Sequence, residues 1–283
     1  MDIISVIKDR YDGLSKGQQL VAGFIVENCD KAAYMSAERL GETVGVSEST
    51  VIRFPAEIGF DSYKKFQKAL QDLTRARLTP IQRLMGAEEA GDSRIFLSRV
   101  LSQNIDMLRR TLNEIDERAF ESAVDSLINA KKVYIIGVRS SAPLAQLLGF
   151  YLNMLLEDVD VVGGDGIGDM YEHMLCVDRH DAVIAISFPR YSKRTLNALK
   201  YAKECEANII AITDSMLSPL AEFAGTVLLA ATDTEYFVDS LVSPLSMVSA
   251  LAVAVGMKRK DKTADTFSRL EQLWELNDVY NSK

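Results

Sequence analysis

The chain has 283 residues, 48% of them hydrophobic and 25% charged, the balance of a soluble globular protein with one large domain or two ordinary ones. Three widely separated cysteines, Cys29, Cys176 and Cys205, argue against a disulfide framework and a cysteine-based zinc site and point to a reducing, cytoplasmic setting. The opening MDIISVIKDRYD lacks the apolar stretch of a signal peptide, and the longest apolar run, 241–257, is broken by Ser243, Pro244, Ser246 and Ser249, so neither a leader nor a membrane-spanning helix is expected.

The net charge of −8 is unevenly spread. Residues 1–78 hold 11 basic and 11 acidic side chains, so the rest of the chain carries the whole excess. Within 60–78, Lys64, Lys65, Lys68, Arg75 and Arg77 outnumber Asp61 and Asp72. An acidic body with a locally basic N-terminal element is compatible with nucleic-acid binding, although charge alone does not suggest it.

Residues 14–72 read as short helices. LSKGQQLVAGFIVEN sets Leu20, Val21, Phe24 and Ile25 at helical spacing. Ser36 is placed to cap AERLGETV, Gly45 and Val46 to make a tight turn, and Ser47 to cap ESTVIRF. FDSYKKFQKAL adds a further helix with Tyr63, Phe66, Ala69 and Leu70 inward. Pro55, about two turns into the ESTVIRF helix, removes the bond to Val51 and is expected to kink or end it. Helix, short turn and capped second helix is the geometry that sets a recognition helix in a major groove. There Ser47, Ser49 and Thr50 would meet phosphates and base edges, Arg53 a base or a phosphate, and Lys64 and Lys65 the backbone. A helical hairpin that serves only packing has the same pattern.

Residues 74–94 contain Pro80, Gly86 and Gly91 and read as a partly helical linker. Two helices follow over 92–129, broken near 114–116. Then VYIIG (133–137), VDVVG (159–163), AVIAIS (182–187), NIIAIT (208–213) and TVLLAA (226–231) appear as short β-branched runs, separated by helical stretches at 142–157, 168–177, 192–205 and 218–223. Strands alternating with helices predict a parallel sheet covered on both faces. Residues 238–257 read as a mostly buried helix, and the tail 258–283 as polar with Leu270, Leu273, Trp274 and Leu276 on one side.

Such a sheet binds ligands at the carboxyl ends of its strands. Three of those ends are polar: Gly137 to Ser141, Ser187 to Thr195, and Thr213-Asp214-Ser215. Hydroxyls and amides at helix N-termini, with Arg139, Arg190, Lys193 and Arg194 beside them, would make an anion site. Capping alone also accounts for the serines, and Ser141 and Ser192 are placed to cap in either case. Neither a P-loop nor a dinucleotide fingerprint is present.

Two resemblances add to this. Leu14, Ser15, SAERLGETVGVSESTVIRF (36–54) and IGFDSYKKFQKAL (58–70) resemble the N-terminal domain of RpiR/MurR-type transcription regulators. VYIIGVRSSAPLAQLLGFYL (133–152), DAVIAISFPRYSKRTLNALKYAK (181–203) and NIIAITDSMLSPLAEFA (208–224) resemble the sugar isomerase (SIS) domain. The resemblance implies that the phosphate-loop hydroxyls are Ser140, Ser141, Ser187 and Ser192. Arg139 stands where many members have a second glycine, and Pro189-Arg190-Tyr191 where many have Ser/Thr-Gly-Glu, so the site is more cationic than usual. The expected architecture is an α/β chain. An all-α helix-turn-helix domain (1–75) leads through a linker and connecting helix (76–115) to a doubly wound, five-stranded parallel-sheet SIS domain (116–258) and a helical tail (259–283). The expected ligand set is Arg139, Ser140, Ser141, Ser187, Arg190, Ser192, Arg194 and Asp214, around a phosphorylated sugar effector. No metal, cofactor or catalytic residue is expected. The expected partners are double-stranded operator DNA and further copies of the chain in a homodimer or homotetramer, without a membrane. The alternatives are a sugar-phosphate isomerase or other SIS enzyme, with His173, Glu172 or His180 as the candidate base, and a purely structural dimerisation module.

Overall fold

The computed structural model describes residues 3–77, 81, 84, 93–163, 167–232 and 236–280. The chain divides into two compact units, one built from the N-terminal helices and one from the α/β segment.

The first unit comprises α1 (Ile3–Arg10), a 3-10 turn (Tyr11–Gly13), α2 (Lys16–Glu27), α3 (Cys29–Ala32), α4 (Ala37–Val44), α5 (Glu48–Glu57) and α6 (Tyr63–Arg77). Ser15 opens α2 with a capping box, exchanging bonds with Gln18. Val21, Ala22 and Ile25 form the buried face of α2, Phe24 packs at its margin, and Leu20, the fourth apolar residue at helical spacing, is 55% exposed. Leu20 lies one residue round the helix from that face, and the sequence spacing alone does not separate the two. Ser36 and Ser47 cap α4 and α5 as expected, their hydroxyls accepting from the amides of Arg39 (3.2 Å) and Thr50 (3.3 Å). Between them Gly45 takes a left-handed φ of +76°, which a side chain would resist. Pro55 is tolerated for a few residues only: α5 ends at Glu57. Phe54 and Phe66 meet edge to face at 5.7 Å between ring centres, in a core shared with Leu40, Val51 and Leu70. The Tyr63 hydroxyl and Gln67 amide both donate to the Met35 carbonyl, fixing α6 against the loop before α4.

The second unit begins with α7 (Ser93–Glu114) and α8 (Glu117–Asn129). Asp116 makes the expected break by accepting from the amides of Arg118 and Ala119. Of the segment 74–94 read as a linker, residues 78–80, 82–83 and 85–92 lie outside the described residues. The sheet contains β1 (Val133–Gly137), β2 (Val159–Val162), β3 (Ala182–Ile186), β4 (Asn208–Thr213) and β5 (Thr226–Leu229), all parallel, in the order β2-β1-β3-β4-β5. The alternation of strand side chains decides which helix covers which face. Val133, Ile135, Ile184, Ile186, Ile210 and Ile212 pack with α8, α9 (Ala142–Leu155) and α12 (Val242–Lys258). Tyr134, Ile136, Val183, Ala185, Ile209 and Ala211 pack with α10 (Ile167–His173) and α11 (Lys193–Glu204).

Four expectations are corrected. Ser141 precedes α9, yet its side chain makes no capping bond to that helix. The helix predicted over 218–223 is a run of turns: six residues make too few internal bonds to hold a helix on local propensity alone. The helix predicted over 168–177 is only Ile167–His173, followed by turns. The segment 238–257 is buried on one side only: Met247, Val248, Leu251 and Val255 face the sheet, while Val253 and Met257 are 65% and 64% exposed. The tail helix, α13 (Lys260–Leu276), has no buried residue, and Trp274 meets Tyr280 edge to face at 5.3 Å between ring centres.

Candidate functional site

Two regions are candidates for function. On α5 the buried side is Val51, Phe54 and Pro55, which leaves Ser49, Ile52, Arg53 and Ala56 on the exposed face. At the helix start the Ser47 hydroxyl lies 2.9 Å from those of both Ser49 and Thr50, so three hydroxyls cluster at a helix N-terminus, where a phosphate would be attracted. Arg53 lies back along the helix, its Nε donating to the Ser49 carbonyl at 3.2 Å and Nη2 to the Ser49 hydroxyl at 3.4 Å. Lys64 and Lys65 are exposed on α6. Lys65 is paired to Asp61, and this neighbouring ammonium holds the Asp61 carboxyl below the usual carboxylate range.

The second region lies at the strand tips. In the order β2-β1-β3-β4-β5, the connections after β1 and β3 leave toward opposite faces, so the tips of those two strands mark the switch point, where open sheets of this kind form a ligand crevice. Gly137 and Ile186 are in register, so the loops following both strands leave the sheet at one level. The β1 loop turns at once through a 3-10 turn, Arg139–Ser141, into α9. Only glycine fits at 137, since a Cβ there would lie 2.7 Å from the Ser141 carbonyl oxygen. The β3 loop is closed by Ser187, whose hydroxyl accepts from the Ser192 amide at 3.4 Å, and Ser192 in turn caps α11. Ser141 and Ser187 are buried, Ser192 and Arg194 half-buried, and Ser140, Arg139, Arg190 and Lys193 exposed. Asp214, at the end of β4, accepts from the Tyr191 hydroxyl at 2.9 Å and from the Thr213 hydroxyl at 3.3 Å. Its carboxylate therefore anchors the β3 loop. Sequence reasoning missed this Tyr191 tether, because nothing in the pattern pairs a loop tyrosine with an aspartate 23 residues on.

Backbone geometry singles out two of the expected residues. Arg139 has φ +56° and Arg190 φ +67°, both left-handed, where L side chains are disfavoured. They sit at the tips of the two strands that flank the crevice, at positions where the resemblance expects glycine. The loop path is thus kept while a guanidinium is added at each tip. Strain of this kind is typically held at functional sites. Arg190→Gly is expected to raise folding stability by up to about 1 kcal/mol, since relief of left-handed strain exceeds the entropy glycine adds to the unfolded chain. Arg190→Ala keeps the strain and is expected to leave stability unchanged. Thermal unfolding of both variants checks the sign.

A helix-turn-helix unit joined in one chain to a doubly wound sheet with polar strand tips is the domain combination of a transcription regulator. Residues 1–76 match the helix-turn-helix domain of the rpiR family and residues 126–254 match the SIS domain, together more than half of the chain. The chain belongs to the rpiR family of helix-turn-helix transcription regulators that carry a SIS domain. The HTH-type transcriptional regulator HexR of Escherichia coli strain K12 is 27% identical over 280 residues, 96% of this chain and 94% of HexR. An uncharacterized HTH-type transcriptional regulator of Thermotoga maritima is 26% identical over 86% of each chain. Among solved structures, the sugar isomerase domain of an RpiR transcription factor from Sphaerobacter thermophilus is 28% identical, with a TM-score of 0.58 over 62% of this chain and 97% of that one. The NanR protein of Vibrio vulnificus shares the fold over 96% of this chain and 98% of its own, with a TM-score of 0.59 at 20% identity.

Proposed function

We propose that this regulator binds operator DNA through α5 and α6 and that a phosphorylated sugar, held at the tips of β1 and β3, controls that binding. The observation that carries the proposal is the pair of left-handed arginines beside buried Ser141 and Ser187 at the crevice of the sheet. Hydroxyls, helix N-termini and guanidinium groups together suit a phosphate dianion. A protein of the same fold takes such a ligand: NanR of Vibrio vulnificus is complexed with ManNAc-6P. In this reading Ser140, Ser141, Ser187 and Ser192 bind the phosphate, Arg139, Arg190 and Arg194 neutralise it, and Asp214 orders the loop through Tyr191.

The chain acts as a sensor and not as an isomerase. Proton transfer between sugar carbons needs a base beside the bound sugar. Among the described residues, His173 pairs at 3.0 Å with Asp160, near the start of β2, and His180 precedes β3, so both lie toward the opposite end of the strands from the tips. The working species is a homodimer or a dimer of dimers, because a palindromic operator takes two recognition helices one DNA turn apart. Exposed Val253 and Met257 on α12, and Leu273 and Leu276 on α13, are the apolar surfaces available for that contact.

A thermal-shift screen of sugar phosphates on the full chain tests the reading. One of them should stabilise the protein, by about 2.7 kcal/mol at a hundred times its Kd, without being consumed. Turnover to an isomer would overturn the sensor reading in favour of an enzyme.

A further inference from the structure

We infer that Ile52 is a base-reading side chain of α5 and that it reads the 5-methyl group of thymine. The inference rests on α5 being the recognition helix. Ser49, Ile52, Arg53 and Ala56 stand at i, i+3, i+4 and i+7, one stripe of α5, opposite the core residues Val51, Phe54 and Pro55. Ile52 is 50% exposed at the centre of that stripe. A single exposed isoleucine is ordinary on a protein surface. Its position is what gives this one a role: when the stripe faces a major groove, Ile52 loses its water, and an apolar side chain gains nothing from the donors and acceptors on the base edges. The one apolar feature displayed there is the thymine methyl.

The neighbours suit the assignment. Ser49 and Ala56 are small, so neither holds the isoleucine away from the groove floor. Arg53, one residue on, carries the hydrogen-bonding arm of the same face, resting on Ser49 in the free protein. A β-branched side chain has few rotamers to lose on contact. The expected half-site therefore has a thymine within a base step or two of the base that Arg53 reads.

The test uses the full chain and duplex DNA enriched from a random library by its binding. Each thymine of the enriched site is replaced in turn by deoxyuridine, which removes only the 5-methyl group. The wild type should lose about fourfold in affinity at one thymine per half-site, the worth of one buried methyl-sized contact. Ile52→Ala should bind the thymine and deoxyuridine duplexes equally, and Ile52→Val should keep part of the preference. Both variants alter a half-exposed side chain and should melt with the wild type. A wild-type profile flat across all thymines, or an Ile52→Ala protein that still prefers thymine, overturns the assignment and leaves operator binding intact. A library that yields no enriched sequence overturns the reading of α5 itself, and the assignment with it.

Discussion

Ser187→Ala and Arg190→Ala are each expected to move the response to sugar phosphate to higher ligand concentration while leaving ligand-free operator affinity at the wild-type value. Each removes one partner of the bound phosphate, and a hydrogen bond to a charged group contributes about 1.5–3 kcal/mol, so effector affinity should fall by roughly 10- to 100-fold per substitution. Neither change touches the N-terminal helices, whose core is separate from that of the sheet. Ser187 also accepts from the Ser192 amide, so its loss loosens the β3 loop as well as removing a ligand. Arg190→Ala is the cleaner variant, since its backbone stays left-handed with a Cβ of the same kind. Calorimetric titration with the sugar phosphate, paired with operator binding by fluorescence anisotropy, measures both quantities. Variants that respond to the same sugar phosphate with wild-type sensitivity would move the site away from the strand tips.

The second large effect concerns the DNA face. Arg53→Ala should cost about 1–3 kcal/mol of operator affinity, the discrimination expected of a side chain bidentate to a base, and should relax the sequence preference at one position per half-site. The guanidinium has to leave Ser49 to make that contact, and the exposed side chain contributes little to folding, so thermal stability should not change. Lys64→Ala is expected to behave differently. It should weaken binding evenly across sequences and lower the salt slope by about 1. Lys65→Ala should do less, because Asp61 already offsets part of its charge. Affinities measured on specific and scrambled duplexes at several salt concentrations separate the two behaviours. Three variants with unchanged affinity would remove the proposed DNA face.

Much of the fold can be read in the sequence because its strands are buried on both sides. VYIIG and AVIAIS are continuous β-branched runs for the physical reason that helices cover both faces of a parallel sheet. The helix starts at Ser15, Ser36, Ser47 and Asp116 are equally legible, since capping is a local rule satisfied within three residues. Errors fall where a local pattern competes with a nonlocal fact. Residues 218–223 carry helix-like spacing, yet six residues cannot hold a helix by local bonds alone. Leu20 matches a helical stripe, yet the packing around Val21 and Ile25 turns it outward.

The site was legible in part. Ser187 and Ser192 stand out by their position after a strand, and the structure adds the bond between them. The left-handed arginines were not legible, because the sequence shows two residues that ordinarily avoid that conformation and only the backbone reveals that they keep a glycine-like path. Ile52 is not legible for a different reason: in the sequence only polar side chains mark a DNA contact, and its place on the exposed face follows from the burial of Val51 and Phe54.

A ligand shifts DNA binding only if it binds one state of the protein better than the other, and a hundredfold preference supplies about 2.7 kcal/mol. The segment 74–94 and helices α7 and α8 form the covalent route by which the sheet and the DNA-reading helices would exchange that energy. The most direct measurement is the Kd of the full chain for its enriched operator, without ligand and at saturation with the sugar phosphate that stabilises it most. Operator affinity should change by about a hundredfold, and operator should alter the affinity for the sugar phosphate by the same factor. A sugar phosphate that binds at the strand tips and leaves the operator Kd unchanged would contradict ligand control of DNA binding.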